Sequence, residues 1–222
     1  VPGKNIRTVA GRPLLAWTVA AAQGCSSVQR IVVTTDDPEI AAVARQCGAE
    51  VPFMRPAELA QDDTPTVAAV LHAAQWLEAH GYIPEWIVVL QPTSPLRTAS
   101  DIGAALALAV ARDADSVISV CPVKHHPYWA MSLDADGMLG NFLGLDLMEM
   151  DARYPRRQDL PPSYAENGAI YLVRRTALLA RRSLYAERTY GLVMPFERSL
   201  DLDSGMDLQI AASLLEDRPW AS

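Results

Sequence analysis

The sequence predicts an α/β protein with a mostly parallel central sheet and helices on both faces. Short β-branched runs alternate with longer segments of helical period, and each run ends in turn residues. Half of the 222 residues are apolar, enough to build a sizeable core for a single domain spanning residues 1–222.

The elements follow in order. Pro13 to Gly24 reads as a helix with Leu14, Leu15, Trp17 and Thr18 on one face, and Arg30 to Thr35 reads as a strand. Asp37 then offers an N-cap carboxylate and Pro38 a first helical position, opening a helix that runs to about Gly48. A third helix starts at Thr64-Pro65 and stops at Gly81. The run Trp86 to Leu90 is too short and too β-branched for a helix, so it reads as a buried strand. A helix from Asp101 to Arg112, strands at Ser116 to Cys121 and Gly168 to Val173, and helices at Thr176 to Arg182 and Ser204 to Glu216 complete the alternation.

Residues 123–167 break this rhythm and read as an inserted lobe. Leu133, Leu139, Phe142, Leu143, Leu145 and Leu147 offer apolar surface without a period long enough for a core of their own. A partner subunit is the simplest cover, so a homodimer is expected.

The formal charge of −7, without a Lys/Arg block, argues against nucleic acid or an anionic membrane as main partner. No apolar run approaches the roughly 20 residues needed to span a bilayer, and the first residues lack a signal-peptide pattern, so a cytoplasmic location is expected. Cys25, Cys47 and Cys121 are widely spaced, which favours free thiols over a bridge or a zinc site. The chain opens on a glycine-containing polar loop with no strand before it, and further residues are expected ahead of Val1.

Four clusters carry candidate chemistry. Gln91 to Arg97 is a turn stiffened by Pro92 and Pro95 at the carboxyl end of a strand, where open α/β sheets bind ligands. Gln91, Thr93, Ser94 and Arg97 are therefore candidate contacts, although the same residues also suit plain punctuation before a helix. Lys4 and Asn5 follow Pro2 and Gly3 in a loop suited to phosphates, or stand as surface residues near a terminus. Asp201 and Asp203 face one side if the segment is extended, which suits Mg²⁺; alternatively Asp203 or Ser204 caps the last helix. Arg153, Arg156 and Arg157 suit a carboxylate or phosphate, or a solvated basic surface. His125 and His126, being adjacent, would point to opposite faces, so they are expected to be structural.

Taken together, these residues resemble the acylneuraminate cytidylyltransferase family. The likeness runs through Pro2 to Asn5, Thr34 to Asp37, Arg55 to Ala60, Gln91 to Arg97, Cys121 to Pro127, Arg156 to Pro161, Glu166 to Tyr171, and Asp201 to Asp203. It implies a nucleotide-diphospho-sugar transferase type of fold, a dimer with an inserted dimerisation and sugar-binding lobe, and a Mg²⁺-dependent reaction. CTP and a 2-keto sugar acid of the sialic, legionaminic or pseudaminic type would give a CMP-sugar and pyrophosphate. By this resemblance Lys4, Gln91 and Asp203 are catalytic; Lys4, Asn5, Thr66 and Gln91 bind the nucleotide; Gln91, Trp129, Arg157 and Tyr171 bind the sugar acid; and Asp201 and Asp203 hold the metal.

Two departures from the family pattern stand out. Its first strand and preceding Arg/Gly/Ser-rich loop are absent here, and Trp129 lies near a position where sialic-acid-specific members often carry lysine. An apolar wall there favours a deoxygenated acid. The competing readings are transfer from another nucleoside triphosphate such as GTP, or a non-catalytic nucleotide-sugar binding subunit.

Overall fold

A computed structural model describes residues 3–154 and 156–216. The expectations that fall on Val1, Pro2 and Pro155 lie outside these residues. In chain order the strands are β1 (Thr8–Val9), β2 (Arg12–Pro13), β3 (Trp86–Val89), β4 (Ser116–Pro122), β5 (Met131–Leu133), β6 (Leu139–Asn141), β7 (Tyr164–Arg174) and β8 (Thr189–Val193). The helices are α1 (Leu14–Gln23), α2 (Pro38–Gln46), α3 (Thr66–Ala79), α4 (Ala99–Ala111), α5 (Leu147–Arg153), α6 (Arg175–Arg181) and α7 (Gly205–Glu216). They form two compact units, one running to Val120 and resuming at Glu166, the other Cys121–Ala165.

In the first unit the main sheet has the order β3-β7-β4-β8. It is mixed rather than mostly parallel: β4 and β8 are parallel, but β7 runs antiparallel to β3, pairing Val89 with Tyr171 and Trp86 with Arg174. Alternation along the strands fills both faces. On one face Val88, Ile170, Leu172 and Val117 pack with Ala22 of α1 and with Ile102, Ala105 and Ala109 of α4. On the other, Ile87, Val89 and Val173 meet Val70, Leu71 and Ala74 of α3 and Leu178 of α6. Val117, Ile170, Val173 and Leu178 are completely or almost completely buried, each contributing about 1.5–3 kcal/mol.

The helices start where their caps stand. Asp37 accepts from the amides of Glu39 and Ile40 and Pro38 follows, as the sequence predicts for α2. For α4 the cap is Thr98: its hydroxyl accepts from the amide of Asp101, whose carboxylate accepts from the amide of Thr98 at 2.9 Å. Such a reciprocal box satisfies two donors that the first helical turn leaves open.

The expected strand Arg30 to Thr35 is extended, but forms only a parallel bridge from Val32 to Glu50. A ladder requires a neighbour along its whole length, and here the backbone partners are scattered: Glu50 accepts from the amide of Val33 at 2.9 Å and donates to Ile31 at 2.8 Å, and the amide of Arg55 donates to Thr35 at 2.8 Å. Ile31 and Val33 still pack with Leu15, Val19 and Ala44, so apolar burial holds the segment.

The second unit, Cys121–Ala165, lies close to the expected insertion 123–167. It contains an antiparallel β5–β6 hairpin, in which Ser132 faces Gly140, and α5, which Asp146 caps. Neither element has a clear hydrophobic period in the sequence. His126 is structural, as expected: Nε2 donates to the carbonyl of Pro161 at 3.0 Å and Nδ1 accepts from the amide of Tyr128 at 3.1 Å. Asn141 ties the unit internally by donating to the carbonyl of Tyr128 at 2.6 Å. The three cysteines are free thiols, and no helix among the described residues is long and apolar enough to cross a membrane.

Candidate active site

The site begins with the turn that follows β3. Pro95 and Leu96 are buried, and the amide of Ser94 closes the turn on the carbonyl of Gln91 at 3.2 Å. Two residues read as candidate contacts are withdrawn from solvent. Ser94 is fully buried and donates to the carbonyl of Asn167 at 3.4 Å. Arg97 is 2% exposed, its guanidinium donating to the carbonyls of Ala169 and Gln91 and to the hydroxyl of Thr18. Each guanidinium nitrogen donates to a fixed acceptor within the protein and the side chain is buried, so Arg97 is withdrawn from any ligand. Gln91 is only half-buried and remains available.

Opposite this turn, β7 kinks at Gly168, whose φ of 69° is the left-handed conformation that glycine adopts without penalty. There is a second reason for glycine. A Cβ at this position would lie 3.1 Å from Gln91 Oε1, 3.4 Å from Asp201 Oδ2 and 3.4 Å from Ser94 Oγ. Gln91 and Asp201, far apart in sequence, thus converge on the space above one backbone atom. Asn167 secures the kink from below: its Oδ1 accepts from Ser119 at 2.6 Å and from the amide of Ala169 at 3.2 Å, and its Nδ2 donates to Ser199 Oγ at 2.9 Å.

The segment 199–203 is fixed at both ends. Arg198 makes a bidentate pair with Asp101 at 2.8 and 3.0 Å, and the amide of Leu202 donates to the carbonyl of Thr93 at 3.0 Å. Burial pushes the Asp101 carboxyl up, but the Arg198 and Thr98 hydrogen bonds outweigh it and hold the group below its ordinary value. Lys4 Nζ donates to the carbonyl of Leu202 at 3.1 Å and lies 4.0 Å from Asp203. The cap of α7 falls to Ser204, which exchanges reciprocal bonds with Asp207 at 2.7 and 3.3 Å. Asp203 is therefore spared the capping role and stays largely exposed.

Asp201 Oδ1 is buried without a hydrogen-bond partner among the described residues. An orphaned carboxylate oxygen is costly unless something positive meets it, and Mg²⁺ is typically held by one or two carboxylates with substrate phosphates. Asp201 and Asp203 fit that group. Tyr171, on β7 opposite Val89, donates to Glu166 at 3.0 Å; burial, with help from Glu166 and Asp201, pushes its phenol up to about 12. It stays protonated at neutral pH and can act only as a hydrogen-bond group.

Asn5, Thr66 and Gln91 line one cavity of about 700 Å³, whose walls include Ile31–Thr35 and β3. Three of the residues assigned to the nucleotide thus share one space, with Lys4 adjoining Asn5 in a single 3-10 turn. Trp129 and Arg157 belong to Cys121–Ala165. Trp129 is 37% exposed, and Arg157 donates one guanidinium nitrogen to the carbonyl of Val123 at 2.8 Å. Arg156 is spent on a bidentate pair with Asp159.

Sequence reasoning gave no role to Arg55, Asn167 or Gly168. Arg55 lines the cavity and donates to Thr34. The signal for the other two was an Asn-Gly pair at the head of the apolar run Ala169 to Val173, where a flexible backbone is otherwise out of place.

Known proteins carry the same architecture. The structure of CMP:2-keto-3-deoxy-manno-octonic acid synthetase complexed with CTP has a TM-score of 0.66 at 15% identity, covering 97% of this chain and 92% of that one. The 4-diphosphocytidyl-2C-methyl-D-erythritol synthase of Anaerococcus prevotii also has a TM-score of 0.66, at 12% identity, covering 97% and 94%. The fold is the α/β architecture of these two structures.

More particularly, the chain belongs to the cytidylyltransferase family, whose model matches residues 1–211. It is 33% identical to the CMP-N,N'-diacetyllegionaminic acid synthase of Legionella pneumophila, over 97% of this chain and 90% of that protein. It is 32% identical to an N-acylneuraminate cytidylyltransferase of Streptococcus agalactiae (93% and 48%), and 26% identical to the pseudaminic acid cytidylyltransferase of Campylobacter jejuni (96% and 90%).

Proposed function

We propose that the chain transfers CMP from CTP to a nonulosonic acid. The observation that carries this reading is the convergence of Gln91 and Asp201 over Gly168, next to the cavity lined by Asn5 and Thr66. The names of the relatives, which handle legionaminic, pseudaminic and N-acylneuraminic acids, point to the acceptor class.

In this reaction the anomeric hydroxyl of the acid loses its proton to solvent as its oxygen bonds to the α-phosphorus, the bond from that phosphorus to the oxygen bridging to the β-phosphate breaks, and pyrophosphate leaves. Transfers of this kind need charge neutralisation and alignment more than covalent help from the protein. Lys4 supplies positive charge beside the phosphates. Asn5 and Thr66 hold the nucleotide, and Gln91 orients it against the acid. Asp201 and Asp203 would hold Mg²⁺, which when bound neutralises phosphate charge. The family resemblance assigns the sugar carboxylate to Arg157, and assigns Tyr171 and Trp129 to the sugar acid as well. The exposed apolar residues of Cys121–Ala165 suit a homodimer contact, and a cytoplasmic location is part of this reading.

The test is pyrophosphate release by purified protein with CTP, GTP, ATP and UTP against a panel of 2-keto acids, with mass analysis of the product. Release with CTP and a nine-carbon acid is expected. Turnover of N-acetylneuraminate far faster than legionaminic-type acids would remove the role given to Trp129. Comparable release with GTP would remove the role of Thr66, and no release with any pair would leave a binding protein.

A further inference from the structure

Arg97 is an uncommon buried cation, because its hydrogen bonds go to neutral acceptors. Nε donates to the carbonyl of Ala169 at 2.8 Å, Nη1 to the hydroxyl of Thr18 at 3.1 Å, and Nη2 to the carbonyl of Gln91. Asp101 attracts it from a distance, but Asp101 is itself engaged in the bidentate pair with Arg198. Burying a charge on such terms is expensive, and an apolar side chain of similar volume would serve stability at least as well. What an apolar side chain cannot do is tie three segments together. The three acceptors stand on α1, on the turn after β3 and on β7, and two of them flank the site: Gln91 itself and the residue after Gly168.

We propose that Arg97 is a positioning residue that sets the Gln91 side chain above Gly168 and acts on the reaction only through Gln91. The guanidinium fork spans fixed acceptors in one plane, a geometry that the compact ammonium of lysine does not reproduce. Burial pulls the Arg97 pKa down to about 9, so the group keeps its charge and its full set of donors at neutral pH. The inference rests on the proposed contact between Gln91 and the substrates.

The test is a double-mutant cycle in the full chain, with Arg97→Lys, Gln91→Ala and both together, recording melting temperature, kcat and KM for CTP and for the acid. Displacement of a positioned group by about 1 Å costs about 100-fold in rate, so Arg97→Lys is expected to lose about that in kcat while KM for CTP moves far less. The double variant is expected to be no slower than the slower single variant, because both changes remove one function. If Arg97→Lys does not fold, Thr18→Val, which removes only one of the three acceptors, takes its place in the cycle with a smaller loss. Multiplying losses, or a fall in melting temperature with unchanged kcat, would overturn the positioning role. A Gln91→Ala variant with native kcat would instead remove the reading of Gln91 beneath it, and the proposal with it.

Discussion

In the turn from Gln91 to Arg97 polar groups are buried and paired; in Cys121–Ala165 apolar groups are exposed. Ser94 and Arg97 are at most 2% exposed and each has its acceptors, whereas Leu133, Met138, Phe142 and Met148 are 70% exposed or more. Each region inverts the usual rule, for opposite reasons. The turn accepts the cost of burying polar atoms to gain a rigid floor, and the chain itself supplies the acceptors of Ser94 and Arg97. The inserted unit leaves several large apolar side chains uncovered, a composition suited to a surface that another molecule completes.

The sharpest way to break this contrast is at the carboxylates on the edge of the floor. Asp203→Asn is expected to lower kcat/KM beyond the roughly 10- to 100-fold that loss of an outer partner of a metal site costs. Its melting temperature should stay within the scatter of surface substitutions, since Asp203 is exposed and does not cap α7. Kinetics across a Mg²⁺ titration check this, and a near-native rate at all concentrations would sink the metal assignment.

Gly168→Ala comes next. The new methyl would crowd Gln91 Oε1 at 3.1 Å and hold alanine in the left-handed region at about 1–2 kcal/mol. The expected outcome is a roughly 10- to 100-fold slower enzyme that still folds. Steady-state kinetics and circular dichroism separate the two effects.

Asp101→Asn tests the tie that holds segment 199–203. Because the folded-state pKa of Asp101 is depressed, its contribution is present above the ordinary carboxylate range and is lost as pH falls through the lower folded value. The variant is expected to be about 1–3 kcal/mol less stable at neutral pH, and its urea midpoint should depend less on pH in the acid range.

The smallest effect on the single chain is expected at Phe142→Asp in the inserted unit. Phe142 is 71% exposed, so monomer stability should change within about 0.5 kcal/mol. The oligomer, measured by light scattering, should weaken. A native protein already monomeric at high concentration would remove the dimer reading.

Much of this was legible in the sequence, unevenly. Helix α2 was readable because its cap and apolar period agree; the strand pattern was readable where β-branched runs are long. The ladder expected at Arg30 to Thr35 was not, because whether a strand pairs depends on a neighbour the local sequence does not reveal. The strand β8 hid behind Gly191, and β5, β6 and α5 behind weak periodicity. In the candidate site, residue types at the right place in the alternation pointed to Gln91, Asp201 and Asp203, of which Gln91 and Asp201 meet over Gly168. The same logic misjudged Arg97, since a polar residue in a turn carries no mark of burial; only its distant acceptors Thr18 and Ala169 decide that.

The hydrogen bond from Lys4 to the carbonyl of Leu202 joins residues 198 positions apart. Closing a loop of that length costs more entropy than any local turn, and its reward arrives only when nearly the whole chain is in place. During synthesis the residues assigned to the phosphates would leave the ribosome long before those assigned to the metal, so a nascent chain would hold half a site until its last segment emerged. Trimming the chain back past Leu202 should therefore abolish catalysis even in a product whose sheet still forms.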